Sequence, residues 1–184
     1  MTFTACDLPG LIICEPTVYG DSRGFFFEAY NENAFKANGI NNVFLQDNQS
    51  RSSQGVIRGM HYQLNPHAQA KLVRVLDGVI LDVAVDIRKG SPTYGKHFSI
   101  ELSAENKKQL FIPAGFAHGF SVISESATVL YKCDQLYNKQ SEGGIRFDDP
   151  ELGIDWKMDI QKAVVSDKDI ALPSFKDSII NFQY

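Results

Sequence analysis

Val73-Arg-Val-Leu-Asp-Gly-Val-Ile-Leu-Asp-Val-Ala-Val-Asp86 is the stretch that decides the fold. Apolar and polar residues alternate along it, the period of a strand with one buried face. Asp77-Gly78 interrupts it, and Asp-Gly between two alternating runs is a strong hairpin signal because the tight turn needs positive φ. The expectation is two paired strands joined at that dipeptide. Thr128-Val-Leu-Tyr-Lys-Cys-Asp134 and His97-Phe-Ser-Ile-Glu-Leu102 alternate too, and Leu110-Phe-Ile-Pro113 is a short apolar run. Short strands punctuated by Gly, Pro, Asn and Asp predict an all-β, antiparallel sandwich or barrel. Helix signals are few. Asn31-Glu-Asn-Ala-Phe-Lys-Ala-Asn-Gly39 predicts one short helix, capped by Asn31 and closed by Gly39. Ser166-Asp-Lys-Asp169 could open another, ended near Leu172-Pro173.

The 184 residues fit one domain, and no linker, repeat or low-complexity tract divides them. Residues 1–184 are therefore read as a single β domain with short helical decorations. At 43% hydrophobic and 11% aromatic, the chain can bury a substantial core. No run approaches ~18 apolar residues, so no membrane span is expected. The start, Met1-Thr-Phe-Thr-Ala-Cys-Asp7, lacks a secretory pattern. A formal charge of −4 gives no reason to expect nucleic acid as a partner. Cys6, Cys14 and Cys133 are odd in number, widely spaced and without a CxxC pair. Reduced thiols in a cytoplasmic protein are expected, rather than a disulfide framework or a zinc knuckle.

Two stretches carry the candidate chemistry: Gly55-Val-Ile-Arg-Gly-Met-His61-Tyr-Gln63, followed by Gln69-Ala-Lys71, and Pro113-Ala-Gly-Phe-Ala-His118-Gly-Phe120. A lone histidine in a strand protein is more often structural than catalytic. Here Gly59 and Gly115 suggest close backbone approaches around a cavity. His61 and Gln63 share a strand face, while Arg58 has the opposite parity unless Gly59 introduces a bulge. Lys71 either points to water or faces the interior, where burial would demand an anion or a polar network. Tyr62, Tyr131 and Tyr137 are phenols that could carry a proton, though most strand tyrosines are packing residues. Asp167 and Asp169 are read either as acidic first-turn residues or as a carboxylate orienting a histidine. Asp21-Ser-Arg23-Gly-Phe-Phe-Phe-Glu28 mixes a cation, a carboxylate and aromatics that would suit a nucleotide, or is a hydrophobic strand after a turn. Gln46-Asp47-Asn48-Gln49-Ser50-Arg51-Ser52 is polar enough for a plain loop, or for a hydroxylated or heterocyclic ligand.

Taken together, these motifs resemble the dTDP-4-dehydrorhamnose 3,5-epimerases, small cupin-type jelly-roll enzymes of nucleotide-sugar biosynthesis. The resemblance runs from about Gly10 to Leu172 and includes Asp21-x-Arg23-Gly-x-Phe26-x-Glu28, Gln46-Asp-Asn48-x-Ser50, Gly55-Val-x-Arg58-Gly-x-His61-x-Gln63 and Gln69-x-Lys71-Leu-Val73. It continues through Asp82-Val-x-Val-Asp86-x-Arg88-x-x-Ser91-Pro-Thr-x-Gly95, Pro113-x-Gly-Phe-Ala-His118-Gly-Phe, Tyr131-Lys132, Asp149-Pro150, Ile154-x-Trp156 and Ser166-x-Lys168-Asp169.

The resemblance implies a fold, an activity and roles. The general base falls on His61, its supporting carboxylate on Asp169, the general acid on Tyr131, and the lysine near the sugar carbonyl on Lys71. Substrate contacts fall on Arg23, Glu28, Gln46, Asp47, Asn48, Arg58, Lys71, His118, Tyr137, Glu142 and Lys168. Some of these come from a neighbouring subunit, which implies a homodimer. The implied substrate is a dTDP-4-keto-6-deoxysugar, and the implied cofactor set is empty. Metal-binding cupins carry His-x-His followed by Glu and a further His. Here the pair is His61-Tyr-Gln63 and Lys71 stands near the Glu position, a poor donor set for a divalent cation. A C3-only or C5-only epimerase, a 3,4-ketoisomerase, a metal-dependent cupin oxygenase and a non-catalytic nucleotide-sugar binding module are the competing readings.

Overall fold

The computed structural model describes residues 1–184. In chain order the strands are β1 (Thr2–Ala5), β2 (Ile12–Glu15), β3 (Tyr19–Asp21), β4 (Gly24–Phe26), β5 (Gln46–Ser53), β6 (Ile57–Gln63) and β7 (Lys71–Asp77). They continue as β8 (Val79–Asp86), β9 (His97–Ser103), β10 (Gln109–Ile112), β11 (Phe116–Val122), β12 (Ser126–Cys133) and β13 (Glu142–Gly144). Two short helices, α1 (Glu32–Ala37) and α2 (Asp167–Ile170), interrupt them. Six strands form one sheet in the order β1-β2-β10-β7-β12-β5, and five form the other in the order β13-β6-β11-β8-β9. Every strand pair is antiparallel. The two sheets face each other as the antiparallel sandwich that the alternating runs predict, in the cupin-type jelly-roll form that the resemblance implies.

The expected hairpin at Asp77-Gly78 does not form. β7 belongs to the six-stranded sheet and β8 to the five-stranded one, and the two do not pair. The dipeptide is a corner at which the chain crosses between sheets. Gly78 has φ +79°, and a Cβ there would lie 2.0 Å from the Ser126 carbonyl oxygen. The local demand for positive φ was legible, but a turn and a sheet-switching corner ask the same of glycine.

The crossing lets one alternating pattern feed one core. Val73 and Val75 meet Ile80 and Ala84 between the sheets, with Leu102, Leu110, Phe116, Phe120 and Val129. The other face of β8 is not solvated. Leu81, Val83 and Val85 pack under the C-terminal segment, against Ile145, Trp156, Phe175 and Phe182. A strand covered on both sides reads as a near-continuous apolar run, which Val79-Ile-Leu-Asp-Val-Ala-Val does apart from Asp82. The C-terminal wrap is pinned by Asp149, whose Oδ2 accepts from the Phe175 N–H at 2.8 Å. On the six-stranded sheet, α1 presses Phe35 onto Leu72, Phe111 and Cys14. Its cap is the expected one, with Asn31 Oδ1 accepting from the Ala34 N–H at 3.1 Å. No helix is long and apolar enough to cross a membrane.

Candidate active site

Inward-facing side chains converge at one end of the sandwich. Along β5 the pleat turns Gln46, Asn48 and Ser50 inward and Asp47, Gln49 and Arg51 outward. Two adjoining lobes of a cavity open there, of about 180 Å³ and about 280 Å³. The smaller is lined by Gln46, Asn48, Gln63, Gln69, Tyr137 and Glu142, and the larger by Ser50, Arg58, His118, Lys168 and Asp169. His61, Lys71 and Tyr131 line both, so they stand where the lobes meet.

A bulge in β6 builds this junction. His118 pairs with His61 and Phe120 with Arg58, so β6 takes three steps where β11 takes two. The extra residue brings Arg58 onto the side of His61 despite their opposite parity. Gly59 makes this possible. Its φ is +119°, and a Cβ would lie 2.5 Å from Gly119 Cα and 2.7 Å from the His118 carbonyl oxygen. The bulge also releases the Gly59 N–H, which donates to Asp169 Oδ2 at 3.2 Å.

Asp169 arrives from far along the chain. The segment before α2 lies beside β6, with the Ile57 N–H donating to the Val164 carbonyl at 3.1 Å and the Val164 N–H to that of Gly55 at 2.8 Å. Ser166 then caps α2, its Oγ accepting from the Asp169 N–H at 3.2 Å. That turn buries Asp169 and leaves Asp167 in solvent. His61 Nε2 donates to Asp169 Oδ1 at 2.7 Å. Burial pushes the Asp169 carboxyl up. The hydrogen bond and charge of His61, with the Gly59 and Ser166 contacts, outweigh burial and hold it below the ordinary carboxylate range.

A second histidine–carboxylate pair lies beside the first. His118 Nε2 donates to Asp82 Oδ1 at 2.7 Å. The side chain of His118 is 7% exposed, against 32% for His61. Burial pulls the His118 imidazole down against the upward pull of Asp82, which favours its neutral form. Burial likewise pulls the Lys71 ammonium down, opposed by Cys133, Asp82 and Glu142. It pushes the Tyr131 phenol up, so that phenol holds its proton at neutral pH.

The mouth is bridged by polar contacts. Gln46 Oε1 accepts from the Tyr137 N–H at 3.0 Å, the Tyr137 hydroxyl donates to Glu142 Oε2 at 3.3 Å, and Glu142 pairs with Lys168. Three expected residues do not face this cavity within the chain. Asp47 lies on the outer face of β5, paired with Lys132 at 3.0 Å. Arg23 stands on the β3–β4 hairpin, its side chain 88% exposed and paired with Asp21 at 2.6 Å. Glu28 is exposed and accepts from Asn31 Nδ2 at 3.2 Å. Gln63 lines the cavity, but its amide is spent on backbone, donating to the His67 and Leu136 carbonyls and accepting from the Asn138 N–H. No three His, Cys, Asp or Glu side chains come together as a metal-ligand group. Asp82, which holds His118 from behind the cavity wall, is not among the expected residues, although a lone carboxylate in a doubly buried apolar run signals it.

Fold and mouth together define a cupin-type isomerase. The family model described as dTDP-4-dehydrorhamnose 3,5-epimerase matches residues 5–177, and the chain belongs to that family. It is 50% identical over 179 residues to the dTDP-4-dehydrorhamnose 3,5-epimerase of Shigella flexneri, covering 97% of this chain and 98% of that one. The crystal structure of the dTDP-4-dehydrorhamnose 3,5-epimerase from Elizabethkingia anophelis superposes with a TM-score of 0.92 at 52% identity, covering 96% of this chain and 97% of that one. That of the dTDP-6-deoxy-D-glucose-3,5-epimerase from Legionella pneumophila, in complex with dTDP-4-keto-L-rhamnose, also gives 0.92, at 46% identity over 96% of this chain and 93% of the other.

Proposed function

We propose that the chain inverts C3 and C5 of dTDP-4-dehydro-6-deoxy-D-glucose, giving dTDP-4-dehydro-L-rhamnose. The observation that carries this reading is the meeting of His61, Lys71 and Tyr131 at one point of the cavity, with Asp169 behind His61. Hydrogens at C3 and C5 of a 4-keto sugar are acidic because the C4 carbonyl can take the charge as an enolate. His61 removes one, and Asp169 stabilises the imidazolium that forms. Lys71 meets the enolate oxygen with a positive charge in a site of low dielectric. Tyr131 delivers a proton to the opposite face, which inverts the carbon. Arg58, His118 and Lys168 hold the anionic end and the sugar, while Gln46, Asn48, Tyr137 and Glu142 line the rest of the cleft.

The working unit is a homodimer. The β3–β4 hairpin presents Tyr19, Phe25 and Phe26 at 65%, 64% and 69% exposure beside Arg23, a surface that suits a partner rather than water. Arg23 and Glu28 serve the partner's cavity, where they complete the nucleotide contacts. The reaction uses no metal, because Gln63 and Lys71 stand where metal cupins carry ligands. Dialysis against chelator is expected to leave turnover unchanged.

The deciding experiment is incubation with dTDP-4-dehydro-6-deoxyglucose in D₂O, followed by NMR of the sugar ring. Deuterium at both C3 and C5, with the L-sugar trapped by a reductase, is the expected result. Deuterium at one carbon after prolonged incubation would mark a mono-epimerase, and none at either would end the epimerase reading.

A further inference from the structure

Asp82 is the most unusual charged group in the interior. Its side chain is wholly buried on β8, in a run otherwise apolar on both faces. Oδ1 accepts from His118, while Oδ2 is the one buried side-chain polar atom of the chain with no hydrogen-bond partner. A buried carboxylate with an idle oxygen is costly unless a nearby cation offsets it. Lys71 is that cation. It makes no hydrogen bond or ion pair within the chain, and it lines the larger lobe together with His118. Lys71 shares the inward face of β7 with Val73 and Val75, as Asp82 shares that of β8 with Ile80 and Ala84, so both stand in the space between the sheets. Burial pulls the ammonium down, opposed by Cys133, Asp82 and Glu142.

We propose that Asp82 is a positioning residue that serves both groups: Oδ1 fixes the His118 ring, and the unpaired Oδ2 is the counter-charge that keeps Lys71 cationic. The inference rests on the epimerase reading for its chemical consequence. His118, neutral with its Nε2–H committed to Asp82, turns Nδ1 into an acceptor for a sugar hydroxyl. Lys71, kept charged, arrives at the enolate oxygen as a full donor. His61 and His118 are direct register partners on β6 and β11, so the two dyads share one wall. The Asp169 pair is open enough to exchange a proton, and the Asp82 pair is closed enough to hold one still.

Other groups around Lys71 do not replace Asp82. Tyr131 and Cys133 on β12 are both held protonated by burial. Glu142 on β13 is already paired with Lys168 of α2, and Asp169 of α2 with His61 of β6. Arg58 on β6 carries the same sign as Lys71. Asp82 is left as the uncommitted negative charge.

The test follows Lys71 directly. Its ammonium is labelled as the ¹³C-dimethyl amine, assigned with Lys71→Arg, and titrated by NMR in the full chain. In Asp82→Asn, the Lys71 resonance is expected to titrate about one pH unit lower or more, a tenfold loss of proton affinity. In His118→Gln, which keeps the carboxylate, it is expected to stay at the wild-type position. With substrate, Asp82→Asn is expected to lose about 10–100-fold in kcat with KM little changed, the usual cost of removing a supporting group. The alkaline limb of its pH profile is expected to move to lower pH. An unmoved Lys71 titration in folded Asp82→Asn overturns the proposal, as does an equal shift in His118→Gln or an unmoved alkaline limb. Should Asp82→Asn not fold, the double variant Lys71→Met/Asp82→Asn decides. Recovery of folding supports charge pairing, and no recovery overturns it. The titration uses no substrate, so a wild-type chain that exchanges no sugar protons sinks the epimerase reading separately.

Discussion

His61 and Arg58 sit side by side across one bulge, yet they are asked to do different things. His61→Ala removes the proton acceptor and leaves the cations of the cleft in place. Turnover and deuterium exchange are expected to fall by about 10²–10⁴ or more, with dTDP affinity nearly unchanged. Arg58 spends only its Nε, on Ser52 Oγ at 2.9 Å, and has the rest of its guanidinium free for an anion. Arg58→Ala is expected to weaken dTDP binding about tenfold or more, the worth of a charged hydrogen bond, with a smaller effect on kcat at saturation. Calorimetric titration of both variants with dTDP, beside the exchange assay, separates them. Equal loss of binding in the two would undo this division. The residue types were legible in the sequence, and so was the need for a bulge if Arg58 was to join His61. The partner of His61 was not decided by the residues themselves. Asp167 and Asp169 differ only in which side of a four-residue turn meets a strand 108 positions away, and local spacing carries no record of that contact.

At the scale of elements, the bulge and the Asp86 knot hold the geometry. Gly59→Ala would drive a methyl into the β11 backbone and strain a φ of +119°, so it is expected to cost about 3 kcal/mol or more and to disorganise both Arg58 and Asp169. Urea unfolding and the exchange assay together check this. The Asp86-x-Arg88-x-x-Ser91-Pro-Thr motif belongs to the resemblance but lies away from the cavity. Asp86 accepts from Arg88 at 2.9 and 2.7 Å, from Ser91 Oγ at 2.6 Å and from Thr93 Oγ1 at 2.7 Å, fastening the β8–β9 connection. Burial pushes its carboxyl up, but these donors win and hold it below its ordinary value. A depressed carboxyl contributes stability above the unfolded value of ~3.9, and that contribution is lost as pH falls through the folded one. Asp86→Asn leaves Arg88 buried without its counter-ion. It is expected to cost about 3–5 kcal/mol at neutral pH and to flatten the loss of stability below pH ~4. Chemical unfolding at pH 7 and pH 3.5 measures both. Strands were legible because period two is local. Sheet membership was not, since Asp77-Gly78 looks the same whether the chain folds back beside itself or crosses to the opposite sheet.

For the whole molecule, the decisive fact is that Arg23 on the exposed aromatic hairpin and Glu28 just beyond it do not line the cavity their own chain builds. A sequence motif is blind to whether its residues close on their own site or on a neighbour's, so these two matched the family pattern while the fold leaves them outside. Two-fold symmetry makes the consequence countable. If Arg23 completes the partner's site, Arg23→Ala homodimers lack a contact in both sites, and His61→Ala homodimers lack the base in both. A mixed dimer then contains one site with both defects and one with neither. After unfolding and refolding an equal mixture, half the dimers are mixed and each carries one intact site, so with substrate well below KM, where loss of a binding contact shows, about one quarter of wild-type activity is expected from two weakly active parents. If Arg23 instead folded onto its own cavity, each site of the mixed dimer would carry one defect and no activity would return. Size-exclusion chromatography with light scattering fixes the stoichiometry of the refolded species. A monomer, or a mixture as inactive as its parents, would remove the shared-site dimer from the proposed function.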